Sequence, residues 1–252
     1  MTKILLVEDE ESIRKFVKLN LEREGYEVFQ AGSGEEGIEI ADRERPDIVV
    51  LDIMLPGIDG FEVCKVLREK YPSLGIIMLT AKTEDYDRIM GLQYGTDDYM
   101  SKPFNPTELT LRIKSLERRI LPADEIKSGI IVHPPFKLDP YSRIFYKDGE
   151  KIDLTPTEYQ IIKNFMENPG KALPRDEILN LVWGEDFVGD TKIVDVNIRR
   201  LRSKIEDAKN RSTLRRCGAW AIGGQVRKFE KDRYKESSGI FFHSNFIYCN
   251  CN

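Results

Sequence analysis

The chain has 252 residues, of which 40% are hydrophobic and 33% charged, and its formal net charge is −4. A chain of this size and composition buries a substantial core in one large domain or two ordinary ones, which excludes disordered and collagen-like proteins. It contains no apolar run of roughly 18 residues, so a membrane span is excluded. The beginning of the chain lacks the pattern of a signal peptide, which predicts a cytoplasmic protein.

The charges are distributed unevenly along the chain. Residues 1–120 carry 17 basic and 24 acidic side chains, residues 121–252 carry 22 and 19, and residues 192–216 alone carry 9 and 3. An acidic half joined to a half with a basic stretch suggests a regulatory domain attached to an anion-binding domain, with nucleic acid as the first candidate. Four scattered cysteines argue against a disulfide framework or a zinc site, and the terminal Cys-Asn-Cys is either a soft-metal motif or part of a frayed tail.

In residues 1–120, short apolar runs alternate with amphipathic segments. The runs at 4–7, 26–29, 48–51, 76–79 and 98–100 predict strands, and the segments at 13–21, 34–43, 61–70, 85–94 and 106–119 predict helices. Three of these strands are apolar throughout, as expected for a parallel sheet that is covered on both faces. Repeated strand–helix units predict a doubly wound α/β domain with its functional groups at the carboxyl ends of the strands.

The pattern changes after a segment that contains three prolines and a glycine, residues 121–135, which predicts a linker. Short runs at 136–139, 143–146 and 151–154 predict antiparallel strands, with a tight turn at 148–149. Helical patterns follow at 157–167, 175–182 and 191–205. Strands followed by helices predict an α+β domain.

Polar side chains stand where the predicted strands of the first domain end. Glu8 and Asp9 follow the first strand, Asp52 and Thr80 end the third and fourth, and Lys102 follows the fifth. Ordinary surface charge is the better explanation for any single one of them. Five of them, all at the ends of strands, instead indicate a shared site, because these ends share one edge of a parallel sheet. Carboxylate oxygens suit Mg²⁺, and a carboxylate that stays free is a nucleophile for a phosphoryl group.

Residues 6–10, 51–60, 79–82 and 97–104, in that order, resemble the receiver domain of bacterial two-component response regulators, which is flavodoxin-like. The resemblance implies that Asp52 accepts a phosphoryl group from a sensor histidine kinase, that Thr80 and Lys102 contact this group, and that Tyr99 turns inward when Thr80 moves. It also implies a cis peptide bond at Lys102–Pro103. The implied Mg²⁺ ligands are Glu8, Asp9, Asp52 and the backbone carbonyl of Met54.

Residues 154–159, 168–171, 173–175, 181–184 and 194–205 resemble the winged helix-turn-helix effector domain of the OmpR/PhoB subfamily. The last helix has an apolar stripe, and its other side is basic with one amide, as a helix in the major groove requires. A solvated charged helix is the alternative. The resemblance implies base contacts by Val196, Asn197 and Arg200, and DNA-backbone contacts by Arg175, Trp183, Lys192, Arg199 and Arg202.

The same resemblance implies that phosphorylation favours a symmetric dimer, formed through the helices at 85–94 and 106–119 and the strand between them. This dimer would place two recognition helices one DNA turn apart and would act on RNA polymerase. The implied ion pairs across the dimer are Arg88 with Glu108, Asp98 with Arg112, and Asp97 with Arg119. Exposed ion pairs of this kind set register more than affinity.

The resemblance ends in the wing, the β-hairpin that follows the last helix in this subfamily. Residues 211–224 show no wing pattern, but codons chosen for 212–224 encode a wing-like segment when read two bases on, which predicts a frameshift. Residues 136–235 would then be a winged helix with an atypical wing, and the apolar segment 236–252 a tail without obvious partners.

Three functions stay open from the sequence alone. The leading interpretation is a phosphorylation-dependent, DNA-binding transcription regulator that is not an enzyme. The second is a receiver with an impaired effector domain that acts only through protein–protein contacts. The third is an enzyme with an aspartyl-phosphate intermediate, against which the basic second domain argues.

Overall fold

A computed structural model of the chain describes residues 1–80, 94–120, 129–169, 171, 173–185, 187 and 191–205, together with the backbone alone of 239–242 and 246–250. No helix within these ranges is both long and apolar enough to cross a membrane. The described residues form two domains in chain order.

The first domain is a five-stranded parallel sheet in the order β2-β1-β3-β4-β5, with helices packed on it. This order is that of doubly wound flavodoxin-like domains and confirms the predicted fold class. The helix predicted at 85–94 lies outside the described residues. The strands are β1 (Lys3–Val7), β2 (Glu27–Ala31), β3 (Ile48–Asp52), β4 (Gly75–Thr80) and β5 (Asp98–Ser101), and the helices are α1 (Glu11–Arg23), α2 (Gly34–Glu44), α3 (Gly60–Lys70) and α4 (Pro106–Ile120).

Local sequence explains how α3 begins beside the end of β3. The Asp59 carboxylate accepts a hydrogen bond from the Glu62 backbone N–H and caps the helix. A Cβ atom on Gly60 would lie 2.1 Å from the Asp52 carbonyl oxygen, so only glycine allows this close approach. The turn therefore holds Asp52 at the edge of the sheet.

The second domain is α+β, with a four-stranded antiparallel sheet in the order β6-β7-β8-β9 followed by three helices. The first of these helices has a capping box between Thr155 and Glu158 and proline at its start. The sheet begins at Ile131, inside the segment 121–135 that was predicted to be linker. The elements are β6 (Ile131–His133), β7 (Phe136–Asp139), β8 (Ile144–Lys147), β9 (Glu150–Ile152), α5 (Pro156–Glu167), α6 (Arg175–Trp183) and α7 (Lys192–Ile205).

A three-stranded sheet completes the second domain and corrects one expectation. The short strand β10 (Leu173–Pro174) pairs antiparallel with β12 (Phe246–Asn250), which in turn pairs with β11 (Gly239–Phe242). The prediction that 236–252 is a tail without partners is therefore wrong for the backbone of this hairpin. Residues 206–238, with the atypical segment 211–224, and the last cysteine lie outside the described residues.

The two domains are in contact through α4. Buried apolar side chains of both domains belong to one connected cluster. Arg143, which precedes β8 with a φ of 56°, reaches across, and its guanidinium donates hydrogen bonds to the carbonyl oxygens of Ile120, at 2.9 Å, and of Arg119. The second domain thus supplies the cap for the last turn of α4.

Candidate functional site

The polar side chains at the strand ends meet at one edge of the first sheet. Glu8 and Asp52 are buried, and Lys102 approaches both from beyond β5. The Lys102 ammonium donates hydrogen bonds to Glu8 Oε2 and to Asp52 Oδ2, each at 2.7 Å. We call Glu8, Asp9, Asp52, Thr80 and Lys102 the acidic edge. Its geometry is the convergence that parallel strand order predicts.

The acidic edge has the ligands for a hard divalent cation. One carboxylate oxygen from each of Glu8, Asp9 and Asp52 lies within 4.8 Å of the others. Burial raises the pKa of Glu8, the hydrogen bond from Lys102 lowers it, and the nearby Asp52 charge raises it further. Three carboxylates against one ammonium leave an excess of negative charge, and oxygen ligands of this kind fit Mg²⁺.

Burial also works against the Lys102 ammonium, but its hydrogen bonds to Asp52 and Glu8 raise its pKa overall, so it stays charged. Thr80 is fully buried at the end of β4, and its carbonyl oxygen accepts a hydrogen bond from the Lys102 backbone N–H at 2.6 Å. The Lys102–Pro103 peptide bond is cis, as the resemblance implied. Tyr99 is buried on β5, and its switching role stays a prediction.

Sequence reasoning missed Arg14 on the first turns of α1. Its Nη1 donates hydrogen bonds to the carbonyl oxygens of Glu8, at 2.5 Å, and of Asp9, at 3.1 Å. The guanidinium lies beside Gly32, where a Cβ atom would be 3.5 Å from Nη1. A cation five residues after an acidic pair, on the helix that follows, was the available signal. Arg14 fixes the backbone from which both carboxylates extend.

The structure places the predicted base-contacting residues away from solvent. Val196, Asn197 and Arg200 are buried on one side of α7, and Arg200 Nη1 donates a hydrogen bond of 2.6 Å to the Thr96 carbonyl oxygen, just before β5. The expectation of an exposed basic side is therefore wrong for these three in this conformation, and for Arg200 the reason is its contact with the first domain. Arg199 and Lys192 remain exposed.

Trp183 also departs from its predicted place beside DNA. Its side chain is only 1% exposed, and the Arg119 guanidinium lies over its ring at 5.2 Å from the centroid. Its carbonyl oxygen accepts a hydrogen bond from the Ser115 hydroxyl on α4. Trp183 is therefore a core and interdomain residue here. Arg175 is partly exposed and pairs with Asp195 at 2.7 Å, and Arg202 is partly exposed.

The residues predicted to pair across a dimer make contacts within the chain. Asp97 Oδ2 accepts a hydrogen bond from Arg68 at 2.8 Å, and its Oδ1 accepts bonds from the backbone N–H and the hydroxyl of Thr157 at 3.1 and 2.8 Å. Arg119 Nη1 donates to that same hydroxyl at 2.7 Å. Thr157, from the second domain, therefore stands between the Asp97 carboxylate and the Arg119 guanidinium.

The other predicted pairs have a similar outcome. Arg112 Nη1 lies 3.1 Å from Asp98 Oδ1, so this predicted pair closes within one chain. Glu108, predicted to pair with Arg88, has its Oε1 2.8 Å from Arg112 Nη2. The Arg112 guanidinium also lies over the ring of Phe187, from the second domain. Arg88 lies outside the described residues. The predicted dimer contacts stay a prediction, since here this surface faces the second domain.

Both halves of the chain match known families. Residues 4–114 match the response regulator receiver domain, and residues 149–218 match the family described as transcriptional regulatory protein, C terminal. The second match reaches into the segment 211–224, for which the sequence showed no resemblance. The frameshift stays a prediction.

Similar proteins cover nearly the whole length of both domains. The chain is 46% identical over 212 residues to the alkaline phosphatase synthesis transcriptional regulatory protein PhoP of Bacillus subtilis, covering 81% of this chain and 88% of PhoP. It is 42% identical over 216 residues to the transcriptional regulatory protein AfsQ1 of Streptomyces coelicolor, covering 85% and 93%. A solved structure of a RitR mutant has a TM-score of 0.69 at 27% identity and covers 82% of this chain and 91% of that chain.

Proposed function

Because the chain belongs to the OmpR/PhoB family of two-component response regulators, we propose that phosphorylation of Asp52 converts it from the closed form described above into a DNA-binding transcription regulator. The closed form is the arrangement in which the second domain covers Thr96, Asp97 and Arg119. We further infer a cytoplasmic protein without an enzymatic activity of its own on a small substrate, which acts with a sensor histidine kinase, duplex DNA and RNA polymerase.

The observation that carries this proposal is the position of the Lys102 ammonium, 2.7 Å from carboxylate oxygens of both Glu8 and Asp52. In the transfer, an Asp52 oxygen attacks the phosphorus of a phosphohistidine on the kinase. The new P–O bond forms as the P–N bond breaks, and the electron pair stays with the imidazole. Lys102 and Thr80 then contact the transferred phosphoryl oxygens.

The acidic edge fits Mg²⁺, with Glu8, Asp9, Asp52 and the Met54 carbonyl as the ligands. Bound there, the ion would neutralise the charge on the phosphoryl oxygens. Arg14 contributes by holding the backbone of Glu8 and Asp9. The Lys102 ammonium contributes a second positive charge, which is present with or without the metal ion.

In the closed form, DNA binding and dimerisation are blocked together. Arg200 is buried against Thr96, and Asp97 and Arg119 are occupied by Thr157. Release of the second domain would free Arg200, Asn197 and Val196 for the major groove, and would free the receiver surface for a second copy. The exposed Arg199 and Lys192 would contact the DNA backbone.

The competing interpretations are weaker. A receiver with an impaired effector domain is not favoured, because relatives that are named as transcriptional regulators match both domains. An aspartyl-phosphate enzyme lacks support, because the relatives carry regulatory names and the second domain presents a basic helix.

The test is binding of the purified chain to an array of duplex sites over a range of salt concentrations, with Mg²⁺ and with or without a small phosphodonor. We expect specific binding that tightens on phosphorylation, and the loss of that response in Asp52→Ala. Phosphorylation of Asp52 without any tightening on any duplex would contradict the proposal and favour the impaired effector domain.

A further inference from the structure

Among the described residues, Arg119, Trp183 and Arg200 at the contact between the two domains carry buried polar atoms without a hydrogen-bond partner. Nearly all buried polar groups in proteins are paired, so a concentration of unpaired ones in a single contact calls for an explanation. Within the described ranges, the unpaired atoms are Arg119 Nη2, Glu158 Oε1, Trp183 Nε1, Asn197 Oδ1, Arg200 Nε and Arg200 Nη2.

Arg200 is the most poorly satisfied of these residues. Its side chain is 4% exposed, and within the described residues its one hydrogen bond runs from Nη1 to the neutral carbonyl oxygen of Thr96. Burial lowers the pKa of its guanidinium, and the charge of Glu158 offsets this only in part. The Glu158 carboxylate is itself held by Lys204, at 2.6 Å, through Oε2. A cation buried without a bonded carboxylate destabilises the state that buries it.

We propose that the burial of Arg200 weakens the closed form, so that a DNA-binding residue keeps the chain close to release. This rests on the proposed function and deepens it, because it concerns how the DNA-binding surface is regulated. In the open form, water or a DNA base or phosphate satisfies all the guanidinium nitrogens. Phosphorylation therefore needs to supply only the remaining difference in free energy between the closed and open forms.

Removal of the Arg200 guanidinium has opposite effects under the two explanations of this contact. If the hydrogen bond to Thr96 held the domains together, removal of the guanidinium would open the chain. If burial of the charge is the dominant cost, Arg200→Met will close it further, because methionine needs no hydrogen bonds and exposes apolar surface when the domains separate. Arg200→Lys retains the charge and will not tighten the closed form.

The experiment uses the full chain with Trp220→Phe, so that Trp183, which is buried beside Arg119, is the single tryptophan. Acrylamide quenching of Trp183 reports opening without any phosphoryl mimic. Sedimentation with Mg²⁺ and beryllofluoride reports dimerisation. For Arg200→Met we expect less quenching and a dimerisation constant weaker by about tenfold. Arg23→Met, at an exposed arginine at the end of α1, should leave both readouts unchanged.

Equal or easier dimerisation and quenching in Arg200→Met would overturn the proposal. Circular dichroism checks that the variant folds, and the neutral Arg200→Gln provides the same comparison should Arg200→Met unfold. A parent chain that neither dimerises with beryllofluoride nor binds DNA would contradict the proposed function instead, and the quenching comparison would still test the role of Arg200.

Discussion

The acidic edge and the interdomain contact both bury charged side chains, but they satisfy them differently. At the acidic edge the Lys102 ammonium lies 2.7 Å from two carboxylates. At the interdomain contact the Arg200 guanidinium meets a backbone carbonyl, and the Arg119 guanidinium meets the hydroxyl of Thr157. Paired charges hold one geometry firmly in a low-dielectric site, whereas poorly satisfied ones destabilise it. The difference suggests an edge built to keep its geometry during phosphoryl transfer and a contact built to separate.

The largest effect is expected from Asp52→Asn, at the acidic edge. An amide is too weak a nucleophile to accept the phosphoryl group, so phosphorylation should fall to the detection limit. Intact-mass measurement with a small phosphodonor and Mg²⁺ checks this. Asp59→Asn, which keeps a capping side chain at the start of α3, is the matched control and should be phosphorylated normally. A phosphorylated Asp52→Asn chain would mean that the acceptor is another residue.

A second test measures whether solvent reaches the buried Cys64 thiol next to the interdomain contact. Cys64 is fully buried, its Sγ donates to the Tyr94 carbonyl oxygen at 3.2 Å, and burial raises the pKa of its thiol to about 11. The raised pKa keeps the thiol protonated at pH 8, so alkylation should be about a hundredfold slower than in the unfolded chain. The measurement uses iodoacetamide on a chain with Cys217, Cys249 and Cys251 replaced by serine. Equal rates in folded and unfolded chains would show that the region is open to solvent.

Thr157→Val should loosen the interdomain contact. It removes the hydroxyl that joins Asp97 to Arg119 and leaves a buried carboxylate oxygen with one bond fewer, which costs about 1–3 kcal/mol. The closed form should weaken, and dimerisation with beryllofluoride should tighten by about tenfold. Ser73→Ala, which removes an exposed hydroxyl between α3 and β4, serves as the control. Unchanged sedimentation of Thr157→Val would mean that Thr157 does not hold the domains together.

The smallest effect is expected from Arg14→Met, which removes support from the acidic edge without touching its carboxylates. The backbone of Glu8 and Asp9 would move more freely, so half-maximal phosphorylation should need about fivefold more Mg²⁺. The maximal extent at saturating Mg²⁺ should stay close to that of the parent chain. Lys15→Met, at an exposed position beside it, should leave the Mg²⁺ requirement alone. A lower maximum with an unaltered requirement would assign Arg14 a different role.

The sequence predicted the acidic edge well because parallel topology brings the ends of the strands together. Once the apolar runs were assigned to strands, the positions of Asp52 and Lys102 followed. Arg14 was missed because it binds backbone carbonyls, which leave no pattern of complementary side chains.

The interdomain contact could not be predicted from the sequence, and the reason is different. Arg200 and Thr96 are 104 positions apart, and a guanidinium–carbonyl bond has no periodic signature. The same side of α7 that suits the major groove also suits a polar surface of the receiver. The pattern on the helix therefore indicated a binding face correctly, but it could not indicate which partner occupies that face in the closed form.

The cap that Arg143 places on the last turn of α4 bears on how freely the halves of this protein can be exchanged. A receiver cut after Ile120 would lose the two hydrogen bonds from this guanidinium, and its final turn would fray. A chimera that joins this receiver to the effector of a relative would keep the turn intact only with an arginine in the equivalent place. The two halves are therefore separate folds but not fully interchangeable modules.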